Sequence, residues 1–125
     1  MSPTPHRIPW TIDGLSLAPG HRVLEIGCGW GGFAEYAAKY HDARVVGLTI
    51  SREQHDYAKQ RIFNAGLADK VDIRMQDYRD ERGFYDRIAS IEMLEAVGER
   101  YWPAYFAQLR DRLKPGGAAG IQTIT

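Results

Sequence analysis

Residues Val23-Leu24-Glu25-Ile26-Gly27-Cys28-Gly29-Trp30-Gly31-Gly32 leave few folds open. A short apolar run ends in a carboxylate and a glycine cluster, and apolar residues at helical spacing follow at once. Such a run predicts a buried strand. The glycines let the backbone turn sharply and approach a ligand closely, because no side chain stands between. The turn then delivers the chain to a helix N-terminus, whose first N–H groups have no partner inside the helix. The stretch predicts a strand–turn–helix cradle for a nucleotide-type ligand.

The rest of the chain repeats the alternation. Residues 1–17 hold Pro3, Pro5 and Pro9 with little periodicity and read as an irregular N-terminal arm, with Trp10 and Ile12 as candidates to cover an apolar edge. Ala18-Pro19-Gly20 turns into a first strand, Arg22 to Ile26. Phe33, Tyr36, Ala37 and Tyr40 then share a helical face. Residues 44–50 form an apolar run without polar alternation, as in a strand covered on both faces. Ser51-Arg52-Glu53-Gln54 has the form of a capping box, with Gln54 reaching back to the serine. The helix it opens carries Tyr57, Ala58, Arg61, Ile62 and Ala65, and Gly66 with Leu67 forms its stop. Val71, Ile73 and Met75 alternate with polar residues, which suits a strand near a sheet edge. A charged loop from Asp80 to Gly83, a strand from Tyr85 to Ile91 and a helix from Glu99 to Leu113 follow. Lys114-Pro115-Gly116-Gly117 stops that helix, and Ala118 to Thr125 is a fifth strand. Strands alternating with helices of this length predict an α/β fold, a doubly wound, Rossmann-like, mostly parallel sheet spanning residues 18–125.

Composition narrows the function. Sixteen basic residues balance sixteen acidic ones, which argues against nucleic acid as partner. No apolar run reaches the ~20 residues of a spanning helix, and the start lacks a basic-then-apolar leader pattern. The single cysteine, Cys28, excludes an internal disulfide and suits a cytoplasmic setting. His6, His21, His41 and His55 are scattered without ligand spacing, so no metal is expected.

Gly27-x-Gly29-x-x-Gly32 matches the dinucleotide fingerprint, but that fingerprint also wants an acid closing the second strand. Thr49 and Ile50 stand there, and the next acid, Glu53, falls inside the helix. Glu25, two residues before the first glycine, and Asp77-Tyr78, closing the third strand, point elsewhere. A carboxylate before the glycines suits a ligand with a cationic end better than a pyrophosphate. S-adenosylmethionine carries a sulfonium and an amino acid moiety.

These blocks resemble the class I S-adenosylmethionine-dependent methyltransferases, and more narrowly the cyclopropane-fatty-acyl-phospholipid synthase and mycolic acid methyltransferase family. The resemblance rests on residues 23–32, on Val46-Gly47-Leu48-Thr49-Ile50-Ser51-x-x-Gln54, on Gln76-Asp77-Tyr78-Arg79-Asp80 and on Asp86-Arg87-Ile88-Ala89-Ser90-Ile91. It continues in Glu95-Ala96-Val97-Gly98, Leu113-Lys114-Pro115-Gly116-Gly117 and Thr123-Ile124. It implies the class I methyltransferase fold truncated after the fifth strand, so that residues 18–125 are an incomplete S-adenosylmethionine-binding domain.

The resemblance also implies roles. Glu25, Gly27, Cys28 and Gly29 would meet the methionine end of the cofactor, with Cys28 itself a small buried thiol rather than a nucleophile. Thr49, Ile50 and Gln54 would take the ribose and adenosine, Tyr78 and Arg79 would flank the adenine, and Ile91 would line the reactive end. Glu95 would be the catalytic residue, helping to hold bicarbonate in the complete enzyme, while Glu92 would be a solvated charge. Tyr101, Trp102, Tyr105 and Phe106 form a helical stripe that reads as core or as the wall of an acyl tunnel.

Three departures from the family stand out, and the first two bear on ring closure. Gln122 stands where the cyclopropane synthases have a bicarbonate-holding histidine; it can hydrogen-bond an anion but cannot take a proton. Ala96 replaces a second histidine. The family's Tyr-Ser-Cys-Ala-Tyr-Phe-like segment has no counterpart in the N-terminal arm, and its acyl-binding insertion and last strands have none after the fifth strand. The expected function is one-carbon transfer to the double bond of an unsaturated fatty acyl phospholipid, with peripheral membrane contact at its inner face. An accessory, non-catalytic cofactor-binding module and a small-molecule O- or N-methyltransferase are the alternatives; a dehydrogenase ranks last. The apolar end, Gly120 to Thr125, predicts an unpaired sheet edge and a homodimer or an aggregating monomer.

Overall fold

The structure is a computed structural model that describes residues 15–91 and 97–122. Among the described residues, five strands form one parallel sheet: β1 (Arg22–Ile26), β2 (Arg44–Thr49), β3 (Val71–Met75), β4 (Tyr85–Ile91) and β5 (Leu113–Gln122). Among the described residues, helices α1 (Gly32–His41), α2 (Arg52–Asn64) and α3 (Trp102–Arg112) connect them. Strand order is β3-β2-β1-β4-β5, which is the doubly wound arrangement expected, with β3 and β5 at the edges. Register pairs Glu25 with Gly47 on one side and Ala89 on the other.

Because side chains alternate across a strand, each buried run feeds both faces. Val23, Val45, Val71, Ile73 and Ala89 pack under Phe33, Ala34 and Ala37 of α1 and Ala58 and Ile62 of α2. Leu24, Ile26, Val46, Leu48 and Ile88 pack on the other face with Tyr105 and Leu109 of α3. Leu15 joins the first cluster, and the Arg87 guanidinium donates to its carbonyl.

Local signals shape the ends of the elements. Gly31, at φ +90, opens α1; a Cβ there would stand 3.0 Å from that of Ala58, so only glycine allows α1 and α2 this approach. At the end of α2, Leu67 N–H donates to Ile62 O and Gly66 N–H to Phe63 O, the paired bonds of a left-handed glycine stop.

Four expectations need correction. Tyr40 lies off the core face and is exposed, its ring tilted against that of Tyr36 with centroids 4.8 Å apart. The last helix begins as a single tight turn, Glu99–Tyr101, before α3 proper, with proline in its first turn. Met75, at the end of the edge strand β3, is also exposed. Finally, β5 starts at Leu113, not Ala118. Tyr85 pairs with Leu113 and Arg87 with Ala118, so the Lys114–Gly117 segment is folded into a bulge against β4.

Candidate cofactor site

The C-terminal ends of β1, β2 and β3 open into a cavity of about 640 Å³. Ile26 and Gly27 form its floor, Thr49, Ile50 and Gln54 one side, and Gln76, Asp77, Tyr78 and Arg79 another. Val97 and the Tyr101, Ala104 and Gln108 face of the last helical segment close it. Open α/β sheets place ligands at this end of their strands.

The glycine turn is tied to the neighbouring strand: Gly27 and Cys28 N–H both donate to Leu48 O, at 3.0 and 2.8 Å. Gly29, at φ +54, has nothing within 4 Å of where a Cβ would stand, so its backbone faces open space. Below the turn, Glu25 is buried and its Oε1 has no hydrogen-bond partner. Burial pushes its carboxyl well above the usual carboxylate range. Cys28 is buried against Gly47, and burial, helped by Glu25, pushes its thiol up to about 12. A thiol so held is no nucleophile. Glu25, Cys28 and Gly29 lie beside the cavity rather than in its lining.

At the end of β2, Ser51 N–H donates to Thr49 Oγ1, whose hydroxyl donates to Gln54 Oε1 at 3.1 Å. Ser51 caps α2 by accepting from Gln54 N–H at 3.3 Å. The predicted box is therefore half made, because the Gln54 side chain turns to Thr49 instead of back to Ser51. With its Oε1 engaged by Thr49, Gln54 also lines the cavity. Ile50 is 77% exposed there, a large apolar surface facing the opening.

Across the cavity, the tight turn Tyr78–Asp80 is held from several sides. Asp77 accepts from Arg79 N–H at 2.9 Å and from its guanidinium at 3.1 and 2.7 Å. That pairing holds the Asp77 carboxyl below its ordinary value. The Arg79 head is therefore turned onto Asp77. Tyr78 stands edge-on to Tyr105 at 5.3 Å. The charged loop hides a carboxylate: Glu81 is buried and accepts from Gln76 Nε2, Gly83 N–H and Tyr85 OH. Burial alone would raise its carboxyl, but these donors and Arg74 hold it low.

The aromatic stripe divides. Tyr105 is core, bonded to Ser90, while Tyr101 is half exposed and lines the cavity. Sequence reasoning assigned no cofactor role to Ser51, Gln76, Val97, Ala104 or Gln108; only the register of sheet and helix brings them together. Glu92, Glu95 and Ala96 lie outside the described residues, as do the arm residues Trp10 and Ile12. Ile91 and Gln122 are paired neighbours on β4 and β5, but their side chains also lie outside that description. Among the described residues no acidic, histidine or cysteine cluster could hold a metal.

Comparison with known proteins gives this geometry a family. Residues 5–125 match the family described as mycolic acid cyclopropane synthetase. The tuberculostearic acid methyltransferase UfaA1 of Mycobacterium tuberculosis is 46% identical over 114 residues, covering 91% of this chain and 26% of that protein. The cyclopropane-fatty-acyl-phospholipid synthase of Escherichia coli K12 is 49% identical over 110 residues, covering 88% and 28%. The solved structure of the cyclopropane synthase MmaA2 from Mycobacterium tuberculosis superposes with a TM-score of 0.90 at 30% identity, covering 96% of this chain and 42% of that one. The chain thus spans little more than a quarter of these two curated relatives. Fold, motif order and similarity agree: the chain belongs to the cyclopropane-fatty-acyl-phospholipid synthase and mycolic acid methyltransferase family of S-adenosylmethionine-dependent enzymes.

Proposed function

We propose that this chain supplies the S-adenosylmethionine site of an enzyme that transfers a one-carbon unit to the double bond of an unsaturated fatty acyl chain. The observation that carries the cofactor reading is the buried Glu25 carboxylate with an unpartnered oxygen, set under a glycine turn whose backbone faces open space. A buried carboxyl with an orphaned oxygen calls for a hydrogen-bond donor, and the cationic end of an amino acid moiety would both donate to it and favour its ionised form. The residues present therefore fit the cofactor. It supplies, when bound, an electrophilic methyl group on sulfur.

The chain's own residues do the holding. Gly27, Cys28 and Gly29 offer backbone to the methionine end above Glu25. Gln54, its amide oriented by Thr49, donates to the ribose hydroxyls where a dinucleotide enzyme would accept from them. Ile50 and Tyr78 provide apolar faces for the adenine, and Arg79 and Asp77 close the rim as a neutral pair. Val97, Tyr101 and Ala104 leave the remaining wall largely apolar, which suits an acyl chain entering from that side. Names of the two curated relatives, one a tuberculostearic acid methyltransferase and the other a cyclopropane-fatty-acyl-phospholipid synthase, support a lipid acceptor. Glu95, matched to the family's catalytic glutamate, is the proposed residue for proton handling or for holding an anion at the reacting carbon.

Calorimetric titration with S-adenosylmethionine and with NAD tests the cofactor; heat with NAD alone overturns the reading. Methyl transfer from labelled cofactor to vesicles of unsaturated phospholipid tests the acceptor. Glu95→Gln is expected to keep cofactor affinity while lowering transfer by roughly 10²-fold or more, the usual scale for an acid–base group. Transfer to water-soluble oxygen or nitrogen acceptors, untouched by Glu95→Gln, would point to small-molecule chemistry instead.

A further inference from the structure

We propose that Gln108 is a positioning residue that sets the adenine wall of the site, an inference that rests on the cofactor reading above. The wall is the segment from Gln76 to Arg79, and its internal shape is fixed by its own flank. Asp77 caps and grips Arg79, and Glu81 gathers donors from Gln76, Gly83 and Tyr85. These contacts fold the turn on itself. They do not set its distance from the helix opposite.

Gln108 sets that distance. Its Nε2 donates to Tyr78 O and to Glu81 O, both at 2.9 Å, bridging positions 30 and 27 residues away in the chain. The two hydrogens of one amide nitrogen are thereby both used, one on each carbonyl. Gln108 also lines the cavity, on the same helical face as Ala104 and one turn beyond it, and Tyr101 precedes them. The helix that forms one wall is thus pinned to the turn that forms another. The Tyr78–Tyr105 edge contact keeps the pair close but is apolar and tolerates sliding, whereas two hydrogen bonds from one planar group fix both separation and angle.

A change of wall position acts on the part of the ligand that touches it. Gln108→Met keeps the length and volume of the side chain and removes both donors. It should weaken binding of S-adenosylhomocysteine to the full chain by roughly tenfold, the scale of a lost hydrogen-bonding pair. S-ribosylhomocysteine, which has the thioether and sugar but no base, should bind the variant and the wild type equally. Gln108→Asn, which keeps the amide but cannot span both carbonyls, should show the same selectivity with a smaller loss and serves if the methionine variant does not fold. Equal losses for both ligands would make Gln108 a merely structural residue and overturn the inference, as would an unchanged affinity for S-adenosylhomocysteine. Failure of the wild type to bind S-adenosylhomocysteine would overturn the cofactor reading and this inference with it; wild-type binding separates the two.

Discussion

Glu25 is where folding and binding oppose each other at a single residue. It is buried between Gly47 and Ala89 with an oxygen unpartnered, and its carboxyl holds its proton well above the usual range. In the unfolded chain the same carboxyl ionises near pH ~4.3. Above that value the unfolded state binds fewer protons than the folded one, so Glu25 makes stability fall as pH rises, until the folded carboxyl also ionises. The slope from one proton is at most about 1.4 kcal/mol per pH unit. Glu25→Gln cannot ionise and should flatten the pH dependence of the urea midpoint between pH 5 and 8, while weakening S-adenosylmethionine binding by roughly tenfold. Parallel pH profiles for wild type and variant would show that Glu25 does not titrate in this way. Glu81 has the opposite sign. Its folded carboxyl is held low, so its contribution is present above the unfolded value and is lost as pH falls through the folded one. Glu81→Leu leaves the Tyr85 hydroxyl and Gln76 amide without their acceptor and should cost about 2–4 kcal/mol at pH 7, read by urea unfolding.

Between elements, the tightest junction is where β2 passes under the glycine turn. A Cβ on Gly47 would stand 2.9 Å from Cys28 Cβ and 3.1 Å from Ile73 Cδ1. Gly47→Ala should therefore push the turn upward, costing about 1–3 kcal/mol as overpacking does and weakening the cofactor. Cys28→Gly in the same chain removes the nearer clash, and partial recovery of the melting temperature in the double variant would confirm that the turn, not β2, gives way. The sequence makes this region legible as far as chemistry is local. The apolar runs of β1 and β2, the Ser51 cap and the Gly66 stop depend on neighbours within a turn, and the structure has all of them. What escapes is set by contacts between elements, whether near or far along the chain. Gln54 abandons its box because Thr49, at the end of a different element, offers a hydroxyl in better position. The Lys114–Gly117 bulge follows from pairing with β4, and Glu81 is buried only because Gln76 and Tyr85 come to it. The site follows the same division. The glycines, Thr49, Ile50 and Gln54 are readable as a motif, whereas Gln108 joins through the packing of α3 on the sheet.

At the scale of the whole sheet, the two edges are unlike. β3 carries Asp72 and Arg74, paired at 2.7 Å, and charges along an edge discourage another strand from docking. On β5, Ala118, Ala119 and Ile121 are all exposed, and Lys114 is the strand's only charge. An apolar edge with free backbone groups is a template for pairing, and a two-fold axis could place two such edges antiparallel. We expect this chain to associate through β5. Light scattering over a hundredfold range of concentration should show the mass rising from monomer toward dimer. Ile121→Lys, which puts a charge on the edge without touching the cofactor cavity, should return the chain to monomer while leaving S-adenosylmethionine affinity unchanged. A monomer throughout that range, or association indifferent to Ile121→Lys, would remove β5 as the contact. A matching charge reversal on β3, Arg74→Glu, should leave the mass unchanged, because that edge is not the one that pairs.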